Sequence, residues 1–275
     1  MPEGQNTRAV PNSNSSPASS PIEHPRVELG SVLVSLLEAI PGHEAALHRW
    51  YERDHFYAGC LSGPGFFAGR RFVATRAHKA LRAPAGAAPF GGALGRGSFL
   101  ALYWLDADRE EEAVAWSIGA FHALRDAGRI FSAADVAHAG FYSVAHAASR
   151  DPDGVPPALA LDHPFPGLAL TLVETRDANA LAAWQREHAT HGPVALSVGL
   201  APRPRPPGAI QAADASAWPD RVAWLHFLDA EPAGVWAESF GDHAARLEAA
   251  GVGRLVFASP FRPTIPGSDR YADEI

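Results

Sequence analysis

The segments SFLALYWLDA (98–107) and RVAWLHFLDA (221–230) decide the fold of this chain. Each is an apolar run that closes on Leu-Asp-Ala, and a glycine lies 22 residues after each aspartate, at Gly128 and at Gly251. The Leu-Asp-Ala motif and the glycine therefore recur together at a constant offset of 123 residues. A repeat of more than about 100 residues is too long for a solenoid unit and predicts two fused copies of one small domain.

Each copy is predicted to fold as β-α-β-β-α-β, the unit of ferredoxin-like domains. Apolar runs predict strands at 30–40, 66–75, 98–107 and 140–148, and again at 168–175, 194–203, 221–229 and 254–259. Helical spacing or capping residues predict helices near 43–60, 108–127, 177–191 and 232–250. Each sheet keeps one face free of helices, and packing these two faces together encloses an apolar core. The sequence predicts an α+β fold in which two ferredoxin-like repeats form one intramolecular α/β barrel.

Composition changes along the chain divide it into five parts. A polar leader rich in Pro, Ser and Asn is predicted to be disordered at 1–28, and a Pro-rich linker lies at 151–166. The first repeat is predicted at 29–150, the second at 167–260, and an irregular tail at 261–275. Within the first repeat, Gly, Ala and Pro at 77–97 predict a long mobile loop of the kind that covers a site.

The charge balance and the cysteine content limit the class of partner. Twenty-three basic residues against thirty acidic ones give a net charge of −7, which argues against a nucleic-acid partner. One cysteine excludes an internal disulfide framework. No apolar run approaches the roughly 18 residues of a membrane span, and the leader lacks the apolar stretch of a signal peptide. We therefore expect a cytoplasmic monomer or homodimer that binds a small hydrophobic substrate and no membrane.

Three motifs in the first copy carry a family resemblance: WYERDH at 50–55, GPGF at 63–66 and AGRRF at 68–72. They make the chain resemble the EthD-like branch of the dimeric α/β-barrel superfamily. The resemblance implies a small-molecule site in a barrel, in a superfamily of lactone isomerases, polyketide cyclases, cofactor-independent oxygenases and haem-dependent enzymes. The second copy keeps Glu187-His188 but lacks the GPGF turn and the Arg pair.

Two histidines are the predicted catalytic residues. His55 lies four residues after Tyr51 on one helical stripe, and an imidazole with its usual pKa of about 6.5 can accept or donate a proton at neutral pH. The alternative is a core histidine bonded to the backbone. His226 shares a strand face with Trp224 and is predicted as a second acid or base in the same cavity, the alternative being a structural histidine.

The substrate-binding candidates are aromatic or cationic side chains near these histidines. They are Tyr51, Tyr57, Arg70, Tyr103, Trp184, His188 and Trp224. Arg70 and Arg71 alternate across their strand, so that only one can face the site, where it would bind a carboxylate, phenolate or enolate.

The sequence contains no HExxH, facial-triad spacing, Cys cluster, P-loop or nucleophile elbow, and we therefore predict no metal and no cofactor. The predicted function is a cofactor-free acid/base enzyme of lyase, isomerase or cyclase type acting on an aromatic or polyketide-like molecule. The alternatives are a cofactor-independent monooxygenase, a non-catalytic small-molecule binding protein, and a haem or metal enzyme.

Overall fold

The apolar runs of the sequence form eight strands in the part of the chain that is described. The computed structural model describes residues 27–90, 92–209 and 217–275, so that residues 1–26 of the predicted leader lie outside it. The strands are β1 Leu29–Ala39, β2 Phe66–Val73, β3 Phe99–Asp106, β4 Ala134–Ser149, β5 Gly167–Glu174, β6 Val194–Pro202, β7 Arg221–Leu228 and β8 Arg254–Pro263. The helices are α1 Glu44–Trp50, α2 Arg76–Ala80, α3 Glu110–Asp126, α4 Ala178–His188, α5 Pro232–Phe240 and α6 His243–Ala249.

All eight strands belong to one closed antiparallel barrel. The order around it is β1-β3-β2-β8-β5-β7-β6-β4, and β4 pairs with β1 to close the ring. Each repeat contributes the sheet order fourth-first-third-second, which is the ferredoxin-like order. The repeats join where β2 meets β8 and where β4 meets β6. The predicted α+β barrel of two ferredoxin-like repeats is confirmed.

Side chains alternate between the inside of the barrel and the helix-covered outside. Val34 and Leu36 of β1 belong to an inner core that combines residues of both repeats. Leu33 and Ser35 point the other way, toward the helices. We call the space between the first sheet and α1 and α3 the first helix layer, and the space between the second sheet and α4, α5 and α6 the second helix layer. Strands buried on both faces explain why the sequence runs are almost continuously apolar.

The linker between the repeats packs against the inner core. Leu161 and Phe165 are buried, and the Phe165 ring lies 5.3 Å from that of Phe227. The Trp104 indole N–H donates to the Pro157 carbonyl oxygen at 3.0 Å. The linker therefore contributes apolar surface to the barrel as well as joining its two halves.

The described parts of the segment predicted as a mobile loop, 77–90 and 92–97, are anchored and face the barrel. The buried Arg82 guanidinium donates to three carbonyl oxygens of this segment, among them Gly97 at 2.8 Å. Phe90 packs against Phe257 of the inner core with ring centroids 5.5 Å apart. This placement differs from the prediction because a buried arginine fork, which composition does not reveal, organises the loop.

Other elements differ from the sequence prediction mainly at their ends. Strand β4 begins at Ala134 rather than at residue 140, and β8 continues to Pro263 rather than ending at 259. The single helix predicted at 232–250 is interrupted at Gly241-Asp242, two residues with low helix propensity. None of the described helices is long and apolar enough to cross a lipid bilayer.

Candidate active site

A cavity of about 220 Å³ lies in the first helix layer. Its walls come from β1, β3, β4, α3 and the helix that follows α1, and most of its lining is aliphatic or aromatic. The polar side chains that line it are Ser35, Tyr51, His55, Cys60, Tyr103 and Ser117. Concave, mainly apolar sites with a few convergent polar groups are typical of small-molecule binding.

The two repeats differ in the size of the side chains that face their helix layers. The offset of 123 residues that aligns the repeats pairs Ser117 with Phe240 and Ala101 with Trp224. In the second helix layer the Phe240 ring lies 5.4 Å from that of His226, and Trp224 is buried beside it. The Phe240 ring therefore occupies in the second repeat the position at which Ser117 lines the cavity in the first.

A local change of helix type positions His55. After α1 the chain continues as two π-helical turns, Tyr51–His55 and Tyr57–Leu61, and such turns often occur at functional sites. The imidazole stacks on Trp50 with ring centroids 4.7 Å apart and meets the Tyr51 ring at 5.2 Å. A Cβ at Gly59 would lie 3.0 Å from His55 Cε1, so that a larger residue there would push the ring by a few tenths of an ångström.

The His55 imidazole is neutral at pH 7. Burial lowers its pKa to about 4, and the nearby Asp54 carboxylate opposes this only in part. Asp54 is held away in an ion pair with Arg129. Nδ1 of His55 is buried and has no hydrogen-bond partner among the described residues. The imidazole therefore keeps an unused hydrogen-bonding capacity beside an apolar cavity.

Two tyrosine hydroxyls meet at the floor of the cavity. The Tyr103 hydroxyl donates to the Tyr51 oxygen at 3.0 Å, and both side chains are buried. Burial, with a smaller contribution from Cys60, raises the pKa of Tyr51 to about 12. Burial also raises the pKa of Tyr103 well above its usual value. Both phenols therefore keep their protons, and the bond from Tyr103 leaves the Tyr51 proton available to another oxygen.

Arg71, rather than the predicted Arg70, lies next to this pair. The Arg71 guanidinium is 4.9 Å from the centre of the Tyr51 ring and bonds the carbonyl oxygen and Nδ1 of His48 at 3.3 and 3.0 Å. Arg70 points to the barrel interior, where Nη1 reaches the Leu161 carbonyl oxygen at 3.5 Å. The alternation of the strand is as predicted, but Arg70 does not reach the cavity.

His226 is separated from His55 and belongs to the second helix layer. It is fully buried, with Ser197 Oγ 2.9 Å from Nδ1 and Thr171 Oγ1 3.2 Å from Nε2. Burial, together with His243, lowers the pKa of His226 to about 3. The prediction that the two histidines share one cavity fails, because each faces the helices of its own repeat. Hydrogen bonding of His226 to two hydroxyl groups is typical of a structural histidine, which was the alternative to a catalytic role.

The remaining candidates also lie outside the cavity. Tyr57 is 55% exposed on the outer side of the π-helical segment. Trp184 and Trp224 are buried in the second helix layer, and His188 lies exposed at the end of α4. Of the nine residues proposed from the sequence, the structure brings together Tyr51, His55 and Tyr103.

Comparison with known proteins gives structural neighbours only. No protein-family model matches the sequence, and no curated protein matches it. An anthrone oxidase-like protein superposes with a TM-score of 0.51 at 12% identity, over 88% of this chain and 95% of that one. A proposed monooxygenase from Fusobacterium nucleatum gives 0.47 at 8% identity, over 86% and 92%. A dye-decolorizing peroxidase from Bacteroides thetaiotaomicron gives 0.47 at 10% identity, over 90% and 96%.

The superposition and the strand order agree on the architecture. Two ferredoxin-like sheets joined edge to edge make a single ring of eight strands. The chain has the dimeric α/β-barrel fold. The predicted resemblance is confirmed at this level, and both halves of the barrel come from one polypeptide.

In this dimeric α/β barrel, several of the lining residues that the sequence did not reveal come from β1 and β4, and others come from α3 and from the other repeat. Ser117 and Phe121, four residues apart, face the cavity from α3, and their helical spacing was the available signal. Gly208 and Ala209, from the segment between β6 and β7, also line it. No local pattern indicates this contact, because it depends on how the second repeat closes the barrel around the first.

No group of three or more His, Cys, Asp or Glu side chains within the described ranges is arranged to hold a metal ion. His188 and His191 are the closest pair of histidines in the sequence, and His191 Nε2 lies 2.9 Å from the His188 carbonyl oxygen rather than beside the His188 ring. The site residues that the barrel does bring together are one imidazole and two phenols.

Proposed function

We propose that the first helix layer is the active site of a cofactor-free enzyme that transfers a proton on a hydrophobic aromatic or polyketide-like ketone or phenol. The observation that carries this proposal is an unpartnered, neutral imidazole facing the same apolar cavity as a phenol pair. His55 accepts the proton, and Tyr51 with Tyr103 binds the substrate oxygen. His226 has no part in the reaction.

The low pKa of His55 is compatible with this role because the reaction itself creates an anion beside the ring. Two unit charges about 5 Å apart at an effective dielectric constant of about 20 attract by about 3 kcal/mol, which corresponds to a pKa rise of about 2. The pKa of His55, which burial holds at about 4, thus rises toward neutral pH when an enolate or phenolate forms next to the ring. The proton moves only while substrate is bound.

The Tyr51 hydroxyl supplies the complementary group. The Tyr51 hydroxyl would donate to a substrate oxygen while the Tyr103 hydroxyl donates to the Tyr51 oxygen, so that negative charge developing on the substrate is shared over two phenols. The Arg71 guanidinium behind the Tyr51 ring adds a favourable field without touching the substrate. We expect the substrate to bind with its carbonyl oxygen at the Tyr51 hydroxyl and its acidic C–H or O–H group near His55.

A single mobile proton supports isomerisation, cyclisation, or lyase-type cleavage. In the simplest case the Cα–H bond of a ketone breaks, its proton passes to His55, and the electron pair moves to the oxygen as an enolate. The same proton returns to oxygen or to another carbon. Lyase or isomerase chemistry is therefore our first choice.

Oxidation of the same carbanion is the second candidate, and the name of the anthrone oxidase-like fold neighbour is the reason to test it. One atom of dioxygen would become the carbonyl oxygen as CH₂ is converted to C=O, and the other would leave as water with the two hydrogens, the four electrons coming from the two C–H bonds. No metal or flavin enters that balance, and the step still begins with proton removal by His55.

Anthrone is a suitable probe for both reactions because its CH₂ protons exchange through the enol. The first assay measures deuterium incorporation into anthrone in D₂O by NMR, without oxygen, for the wild type, His55→Ala and His191→Ala. His191 is an exposed histidine remote from the cavity and serves as the matched control. We expect exchange above the buffer rate for the wild type and His191→Ala, and at least a 100-fold smaller increment for His55→Ala.

Repeating the assay in air separates the reaction types. Oxygen uptake with formation of anthraquinone, lost in His55→Ala, would favour the oxygenase. Exchange without uptake would favour the isomerase or lyase. Anthrone binding with no exchange above the buffer rate would contradict catalysis and leave the small-molecule binding alternative.

A further inference from the structure

The described walls of the cavity carry no formal charge. None of the described residues lining it is Asp, Glu, Lys or Arg. Strands β1 and β4 and helix α3 contribute no titratable side chain to the lining. The titratable groups that face the space are Tyr51, His55, Cys60 and Tyr103, and burial keeps each of them neutral at pH 7.

The nearest charged groups are already engaged and lie behind the lining. Arg71 is on the far side of the Tyr51 ring, and its guanidinium is directed to His48. Asp54 and Arg129 pair with each other at the surface. An anion entering the cavity would leave water without gaining a direct ion pair, which is strongly unfavourable.

We propose that the cavity selects the uncharged form of its ligand, so that an acidic aromatic molecule enters only with its proton and takes that proton from solvent. This inference rests on the proposed function and deepens it by naming the substrate class: neutral two- or three-ring ketones and phenols, with carboxylates and phosphorylated compounds excluded. It also orders the reaction. The substrate binds protonated, and negative charge arises only inside the cavity, between His55 and Tyr51.

A pair of nearly isosteric probes, 2-naphthamide and 2-naphthoate, isolates the effect of charge. Isothermal titration calorimetry between pH 6.0 and pH 7.5, in buffers of different ionisation enthalpy, gives the affinity and the number of protons taken up. The amide should bind with the same affinity throughout this range. The carboxylate, whose acid form has a pKa of about 4, should bind at least 100-fold more weakly at pH 7, tenfold more tightly for each unit of pH decrease, and with uptake of one proton.

The control variant is Ser117→Phe, which introduces the ring that the second repeat has at Phe240. It should abolish amide binding while leaving the far-UV spectrum unchanged, which places the bound probe in the first helix layer. Naphthoate binding within tenfold of the amide at pH 7, without proton uptake, would overturn the neutral-form inference and leave the proposed function intact. If the amide does not bind, or binds equally well to Ser117→Phe, the site itself is wrong and the proposed function falls with it.

Discussion

Acidification should unfold this protein steeply, because it buries several neutral histidines. Burial lowers the pKa of His55, His138 and His243 to about 4 and that of His226 to about 3. In the unfolded chain each would titrate near 6.5. The unfolded state therefore binds more protons than the folded state between these values, and stability is complete above about pH 6.5 and is lost as the pH falls toward 4.

The size of the effect follows from the number of these groups. Between pH 6.5 and pH 5.5 each histidine costs about 1 kcal/mol, because it is already half protonated in the unfolded chain at pH 6.5, so that four cost about 4 kcal/mol over this unit. This approaches the whole stability of many domains, about 5–15 kcal/mol. Urea unfolding followed by tryptophan fluorescence at pH 7.5, 6.5 and 5.5 measures the dependence directly. We expect a loss of several kcal/mol over the last unit.

His243→Leu assigns a share of this loss to one residue. Both ring nitrogens of His243 lack a hydrogen-bond partner among the described residues, and its neighbours Trp184 and Phe240 are apolar. The difference in stability between pH 6.5 and pH 5.5 should shrink by about 1 kcal/mol relative to wild type, whatever the substitution does at pH 7.5. The exposed His191→Ala variant should leave the difference unchanged. A wild-type stability that is flat from pH 7.5 to pH 5.5, or a His243→Leu curve parallel to it, would refute the reasoning.

Three further substitutions test the first helix layer. Tyr103→Phe removes the buried hydrogen bond to Tyr51 and should lower the free energy of unfolding, measured in urea, by about 1 kcal/mol. The same variant should slow anthrone exchange measured by NMR, and an unchanged exchange rate would argue against a role for the phenol pair. Arg71→Gln should slow exchange more than Arg70→Gln, since only the former group faces Tyr51, and equal rates for the two folded variants would contradict this. Gly59→Ala should displace the His55 ring and reduce exchange at least tenfold, and wild-type exchange in a folded Gly59→Ala protein would show that the ring position does not matter.

Much of the fold could be predicted because the two copies reinforce each other. The recurrence of Leu-Asp-Ala at 105–107 and 228–230 aligned the two copies, and the apolar runs predicted all eight strands. Strand ends were less certain: β4 and β8 extend beyond their apolar runs because each pairs with a neighbour contributed by the other repeat or by a distant segment. Pairing across the barrel is a tertiary effect that one strand's sequence does not contain.

Only part of the candidate site could be predicted, because some of its residues meet only through tertiary packing. The helical spacing of Tyr51 and His55 was a local signal, and the structure brings these two residues together with the aromatic candidate Tyr103. Treating Tyr103 and His226 as partners in one cavity was wrong, since equivalent positions in a duplicated fold face equivalent layers rather than the same one. The difference between the two layers was present in the sequence, as Ser117 against Phe240, but its meaning depends on knowing which faces of the sheets are covered by helices.

The most direct test of the central claim is the imidazole ¹⁵N spectrum of histidine-labelled protein, recorded at pH 7 with and without saturating 2-naphthamide. His55→Gln assigns the His55 signals by their disappearance. We expect the His55 signals to report a neutral ring and to move on ligand binding, while those of His226 and His243 stay in place. Shifts confined to His226 and His243, with His55 unmoved, would place the site in the second helix layer and contradict the account.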